Sequence, residues 1–274
     1  MTRIIAITNQ KGGVGKTTTC VNLGATLSEM GHQVLVIDFD PQGNATSGSG
    51  VLKHAIEHDV RGLLLGESSF RDACIFETDA GYDLLPSDIQ LTEAEVGLIG
   101  QTRAQFRLKD VLEKQAESYD FVLIDCPPAL SMLTINGLIA ANGVIIPVQC
   151  EFFALEGLSQ LLKTIEQVRT ALNPGLEIQG VVLTMYDPRN NLSGQVEEDV
   201  RTHLGERVYK TVIPRNVRIS EAPSFGQPAL LYDHKCAGSQ AYMRLASELI
   251  QRERQLSAEL MAENTIEKGG HHGG

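Results

Sequence analysis

Lys11-Gly12-Gly13-Val14-Gly15-Lys16-Thr17-Thr18 brings two lysines, three glycines and two hydroxyls into eight residues. Residues of these types at this spacing hold phosphate. Glycines let backbone N–H groups turn inward around anionic oxygens, and a helix opening after Gly15 adds the favourable end of its dipole. Lys16 is placed to neutralise the outer phosphates of a nucleoside triphosphate, and the Thr17 hydroxyl to bind Mg²⁺. The standard G-x4-G-K-[ST] spacing fails, because its first glycine falls on Gln10. A strand-to-helix turn without a ligand would still give no reason for Lys-Thr directly after Gly15. Lys11 is the unusual member: it can reach a phosphate, yet its own loop can also point it away from the nucleotide beside it.

Two carboxylates extend the set. Asp40 lies in DFDPQGN (38–44) and Asp125 in FVLIDCPP (121–128), each following an apolar run. Alone, either reads equally as a cap or turn residue. Beside the phosphate loop, at the C-terminal edge of a sheet where α/β proteins bind ligands, both become candidate site residues. Asp125 matches a Walker B carboxylate that holds Mg²⁺, usually through water.

The elements that must position them follow from the hydrophobic pattern. Strands are predicted at Arg3–Thr8, Val34–Ile37, Tyr82–Leu85, Phe121–Ile124, Gly143–Val148, Gly180–Met185 and Val208–Ile213. Helices are predicted at Thr17–Met30, closed by Gly31, and near 91–117, 131–141, 154–172, 192–204 and 239–263. Continuous apolar strands such as FVLI and GVVL belong to a sheet covered on both faces. The expected fold is α/β: one P-loop NTPase-like domain over 1–266, a mostly parallel twisted sheet flanked by helices. The segment EKGGHHGG (267–274) is expected to lack structure.

Composition sets limits. The 274 residues carry 23 Lys+Arg against 34 Asp+Glu, a net charge of −11, which excludes coating DNA by bulk charge. With 42% hydrophobic and 21% charged residues the chain is ordinary for a globular protein. Its longest nearly apolar stretch, Gly137–Val148, is interrupted by Asn142 and falls short of the roughly 20 residues that span a bilayer. No secretion h-region follows Met1, and the five cysteines form no CxxC pair, so a reduced cytoplasmic protein with mostly buried thiols is expected. His54-Ala55-Ile56-Glu57-His58 spells the inverted zinc-protease pattern, but with no evident third ligand it reads as solvated surface.

The loop resembles the deviant Walker A signature K-G-G-x-G-K-[ST]. DFDPQGNATSG, IDCPPALSMLTINGL, IPVQCEFFALEGLSQLL, LTMYDPRNNLSGQV and VYKTVIPRNVRISEAPSFGQP resemble the ParA/Soj partition ATPases in the same order, over nearly the whole chain. The resemblance implies an ATPase with ATP and Mg²⁺ as cofactors, working as an ATP-sandwich homodimer. It implies that Lys11 crosses to the partner's phosphates, that Asp40 orients the attacking water in a first switch, and that Pro214 and Asn216 contact adenine. Glu151 matches a position that meets the partner's nucleotide. It further implies non-specific double-stranded DNA binding, nucleoid association, and a ParB/Spo0J-like centromere-binding partner that stimulates hydrolysis during chromosome or plasmid segregation.

DNA binding needs a local argument. Arg207, Lys210, Arg215 and Arg218 fall in a twelve-residue window without an acidic residue. Arg189, Lys210, Arg215, Arg218 and Lys235 are the candidate DNA contacts, against the alternative that isolated cations serve solvation or the nucleotide. Gln227 departs from the family, where many relatives carry lysine. A MinD-like membrane ATPase would need a terminal amphipathic helix with a cationic face, whereas 244–267 holds more Glu than Arg, so no membrane partner is expected. A nitrogenase-type iron protein would need a second cluster cysteine beside Cys126. With so short a lead before Lys11, an N-terminal helix-turn-helix domain is not expected. Positioning of another cargo by a motor of the same superfamily stays open.

Overall fold

Seven strands pair side by side, and every pairing is parallel. The structure is a computed structural model that describes residues 2–151 and 154–269. Its strands are β1 (Arg3–Ile7), β2 (Val34–Asp38), β3 (Asp83–Leu85), β4 (Phe121–Asp125), β5 (Gly143–Gln149), β6 (Glu177–Tyr186) and β7 (Val208–Pro214). They lie in the order β3-β2-β4-β1-β5-β6-β7.

Alternation along these strands feeds two separate cores. Ala6, Leu35, Ile37, Val122 and Ile124 enter one cluster; Ile5, Ile7, Val34, Val36, Phe121 and Leu123 enter the other. Both sets are buried because helices cover both faces, which is why the strands read as unbroken apolar runs. Each fully buried Val, Leu or Ile contributes roughly 1.5–3 kcal/mol, so neither face is left to water.

One face is covered by α1 (Lys16–Glu29) and the long helix Ala237–Gly269, whose Tyr242, Leu245 and Leu249 are buried beside Cys20, Leu23 and Leu27. The leucine stripe of the last helix is thus packed against the domain as far as Leu249. The helix continues to Gly269, through the first three residues of the segment expected to lack structure; 270–274 lie outside the described residues.

The register places the site. Asp125 is level with Ile7 on one side and Asp38 on the other, so β1, β2 and β4 end together at the C-terminal edge. The predicted 91–117 helix is instead two short helices, Leu91–Leu98 and Arg107–Leu112, separated by a turn at Gly100 and a 3-10 segment. A short helix α2 (Asn44–Gly48) after β2 has no periodic signature in the sequence. His54 and His58 are both exposed with no helix joining them, and no cluster of three metal-binding side chains occurs among the described residues. All five cysteines are free, four of them buried. Among the described residues no helix is long and apolar enough to cross a membrane.

Candidate functional site

The loop between β1 and α1 is pinned from two neighbouring strands. Asn9 is buried, donates to Pro147 O of β5 at 2.8 Å, and accepts the Lys11 N–H at 3.0 Å. Thr184 of β6 donates to Val14 O at 2.8 Å. Between these staples Gly13 and Gly15 hold φ of +74° and +88°, a region only glycine enters freely. Gly15 is the N-cap of α1 and supplies no capping side chain, so the first N–H groups of the helix have no side-chain acceptor. Gly12 and Gly13 are exposed, while Val14 is buried and anchors the turn.

Lys16, the first residue of α1, is only 7% exposed. Its ammonium donates to Lys11 O at 3.1 Å, and burial lowers its pKa while Asp125 and then Asp40 pull it back up. Thr17 and Thr18 follow, half-buried, in the first turn. Thr18 O accepts from Asn22, which ties the turn to the helix body.

Asp125 ends β4 fully buried, with both carboxylate oxygens lacking any hydrogen-bond partner. Burial drives its pKa well above the usual carboxylate range and Asp38 adds to that; the nearby Thr17 hydroxyl and Lys16 ammonium oppose it, without Thr17 reaching hydrogen-bond geometry. A buried carboxylate with two orphan oxygens, a nearby hydroxyl and a glycine cradle matches the oxygen chemistry Mg²⁺ favours. No all-protein cage is present among the described residues. That fits an ion shared between few side chains, phosphates and water.

Asp40 is 8% exposed on the loop after β2, and one of its oxygens accepts the Gln42 N–H at 2.9 Å. Asp38, fully buried, accepts from Thr46 N at 2.6 Å and Thr46 Oγ1 at 2.7 Å, and burial raises its pKa to about 6. Sequence reasoning gave no role to Asp38, Thr46, Asn9 or Thr184; of these only Asp38, two residues before Asp40 at a strand end, carried a visible signal.

Lys11 and Glu151 form an ion pair with each other. Pro214 ends β7, and Asn216 caps the helix Val217–Glu221 by accepting from Arg218 N at 3.0 Å and Ile219 N at 3.4 Å. Both stand at the same sheet edge as the phosphate loop, three strands from β1 or about 14 Å away.

The five candidate DNA contacts are all exposed but do not converge. Arg189 and Arg215 stand over the ends of β6 and β7 beside Asp187, whose carboxyl the Arg189 guanidinium holds down to about 2. Arg218 pairs with Glu221 at 2.9 Å and with Asp233 at 3.5 Å, and Lys235 N donates to Asp233. Lys210 lies five residues back along β7, about 16 Å from Arg215. There it adjoins Glu248 and Arg201 in a groove away from the phosphate loop.

A parallel α/β sheet with a glycine-rich loop after its central strand, a buried lysine opening the next helix and two strand-end carboxylates beside it defines a nucleotide-phosphate-binding protein of the P-loop type. The family model for an AAA domain matches residues 2–178. The chromosome partitioning protein ParA of Caulobacter vibrioides is 56% identical over 93% of this chain and 97% of its own length. Soj, the sporulation initiation inhibitor protein of Bacillus subtilis, is 53% identical over 91% and 98%. A solved structure of cobyrinic acid a,c-diamide synthase from Mycobacterium smegmatis, with ATP analogue and magnesium, superposes with a TM-score of 0.82 at 38% identity, over 93% of this chain and 96% of that one. The chain belongs to the ParA/Soj family of chromosome-partitioning ATPases.

Proposed function

We propose that the chain is a Mg²⁺-dependent ATPase that dimerises around two ATP molecules and then binds double-stranded DNA without reading its sequence. Hydrolysis, stimulated by a ParB/Spo0J-like centromere-binding partner, releases it from the nucleoid and so moves a chromosome or plasmid. The working unit is a single domain over 1–266.

The observation that carries this reading is Asp125: a fully buried carboxylate with two orphan oxygens, set beside Lys16 at the foot of the glycine loop. Thr17 and Asp125 would hold Mg²⁺, Asp125 through water, and the ion would neutralise charge on the phosphates. Lys16 exchanges its contact with Lys11 O for the outer phosphates. Gly12, Gly13, Val14, Gly15, Lys16, Thr17 and Thr18 wrap the phosphates with backbone N–H groups. Asp40 orients the attacking water, and catalysis consists of positioning and charge stabilisation without a covalent intermediate. Pro214 and Asn216 face adenine, while Lys11 and Glu151 meet the partner's nucleotide. Arg189, Lys210, Arg215, Arg218 and Lys235 supply phosphate contacts, doubled in the dimer.

The test is DNA binding by the purified protein with ATP, with ADP and without nucleotide, at two salt concentrations. Binding only with ATP, weakening steeply with salt, is expected. Binding to anionic vesicles instead of DNA would sink this reading in favour of a membrane-positioned ATPase.

A further inference from the structure

The loop that carries Asp40 is fastened by a residue far away in sequence. Ser87 follows β3 by one residue beyond Pro86 and is completely buried. Its hydroxyl donates to Asp40 O at 2.6 Å, and its N–H donates to Thr46 Oγ1 at 3.0 Å. Thr46 in turn delivers both its hydroxyl and its N–H to a single oxygen of Asp38. The other Asp38 oxygen accepts the Asp40 N–H at 3.3 Å. Asp40 is therefore held at its N–H and its C=O by one closed chain of hydrogen bonds running Asp38, Thr46, Ser87.

Close packing reinforces the clamp. Gly43 sits against Ser87 so tightly that a Cβ there would stand 2.5 Å from Ser87 O, and the Gly43 N–H shares Asp40 O at 2.9 Å. No Asp40 side-chain atom belongs to the clamp; Asp40 Oδ1 is taken by the Gln42 N–H. The backbone is thus fixed while the second carboxylate oxygen, Oδ2, has no donor among the described residues and is open to a ligand. The Asp38 carboxylate alone could not do this, since it reaches only the N–H side of Asp40.

From this geometry we infer that Ser87 is a positioning residue for hydrolysis: its hydroxyl sets the backbone from which Asp40 reaches the attacking water. The inference rests on the water-orienting role proposed above for Asp40. Ser87 is completely buried and its hydroxyl is spent on Asp40 O, so its loss is expected to act on the chemical step and to leave nucleotide binding to the glycine loop. A misplacement of about 1 Å at a catalytic group costs on the order of a hundredfold in rate. Releasing one of three backbone tethers, with the Gly43 N–H still on Asp40 O, is expected to cost part of that.

The experiment measures ATP hydrolysis with Mg²⁺ and linear duplex DNA for the full chain and for Ser87→Ala, Ser87→Thr and Asp40→Ala, with ATP binding followed separately. For Ser87→Ala, kcat is expected to fall about tenfold and KM to stay within about twofold, the split that marks removal of a transition-state interaction. Ser87→Thr keeps the hydroxyl and is expected to recover most of the rate. An unchanged kcat in folded Ser87→Ala protein, whatever happens to its melting temperature, overturns the inference; so does a raised KM with normal kcat. If Ser87→Ala does not fold, Thr46→Ser and Thr46→Val make the same comparison from the far end of the clamp, and equal kcat for the two overturns it. Normal hydrolysis by Asp40→Ala removes the underlying reading. Loss in Asp40→Ala with full activity in Ser87→Ala removes the positioning role alone.

Discussion

Lys11, in the phosphate loop, and Glu151, just past β5, neutralise each other within one subunit. Their side chains are 40% and 35% exposed, and a pair so open to water contributes about 0–1 kcal/mol. A triphosphate offers Lys11 more charge and stronger hydrogen bonds, so Glu151 cannot keep Lys11 from a partner's nucleotide. Glu151→Gln is expected to shift the unfolding free energy by less than about 1 kcal/mol. Lys11→Ala is expected to keep ATP binding by the monomer and lose the ATP-dependent dimer in sedimentation. An ATP-induced dimer of Lys11→Ala would show that Lys11 serves only its own loop.

Lys16 is the cation that cannot be spared. It is buried, its ammonium already sits on a loop carbonyl, and no other lysine enters the first turn of α1. Truncating a buried, hydrogen-bonded charge partner costs about 2–5 kcal/mol, so Lys16→Ala should weaken ATP binding by at least about thirtyfold on the same scale. Calorimetric titration with ATP and Mg²⁺ reads this directly. Near-normal affinity would move the phosphate site elsewhere.

Asp125 stores a cost that a ligand can repay. A buried carboxylate without donors, with Asp38 and Asp40 nearby, destabilises the nucleotide-free protein. Asp125→Asn should therefore raise the melting temperature without nucleotide while shrinking the further rise that Mg²⁺ with ATP gives wild type. Melting scans with EDTA, with ATP alone and with ATP plus Mg²⁺ separate these terms. Equal stabilisation by Mg²⁺–ATP in both proteins would rule Asp125 out as a metal-site residue.

The strands and the phosphate loop were legible because their causes are local. Burial on two faces writes unbroken apolar runs, and phosphate chemistry packs glycine, lysine and threonine into eight residues. The staples of the loop were not legible. Thr184 meets Val14 across 170 residues, and Ser87 meets Asp40 across 47, so neither leaves a pattern around itself. The basic window 207–218 hid its own spread: a strand carries Lys210 about 16 Å from Arg215. Periodicity over 91–117 hid a break at Gly100, which turns the chain with a φ of +78° between the two short helices.

Glu248 closes the exposed edge of the sheet. From the last helix it accepts Lys210 N at 2.8 Å, Thr211 N at 3.0 Å and the Arg252 guanidinium at 3.0 Å. Burial pushes its pKa up, but these donors outweigh burial and hold it below its ordinary value. The ionised form thus favours the folded state: that stability is present above the unfolded pKa near 4.5 and is lost as pH falls through the lowered folded value. Glu248→Ala leaves two strand N–H groups without their acceptor and should cost about 1–3 kcal/mol near neutrality. The gap between mutant and wild type in urea should narrow below pH 4.5. A gap independent of pH would mean that the side chain acts by packing alone.

The five candidate DNA cations divide by what they already hold. Arg189 gives two N–H groups to Asp187, at 2.9 and 2.8 Å, and Arg218 is shared between Glu221 and Asp233. Either must carry a carboxylate toward DNA or give one up. Arg215 and Lys235 are exposed and form no ion pair among the described residues, so each can neutralise a phosphate at full charge. Removing one cation from a DNA phosphate lowers the slope of log affinity against log salt by about 0.9. Arg215→Ala and Lys235→Ala should therefore flatten the salt dependence of the ATP-bound dimer more than Arg189→Ala does. Arg218→Glu, which places a third carboxylate beside Glu221 and Asp233, should weaken binding at every salt concentration and leave dimerisation intact. Lys210→Ala, on the far stretch of β7, should have the smallest effect if one duplex lies across the C-terminal edge. Salt titrations of fluorescent duplex binding rank all five, and a slope unchanged in both Arg215→Ala and Lys235→Ala would take the DNA off this edge of the sheet.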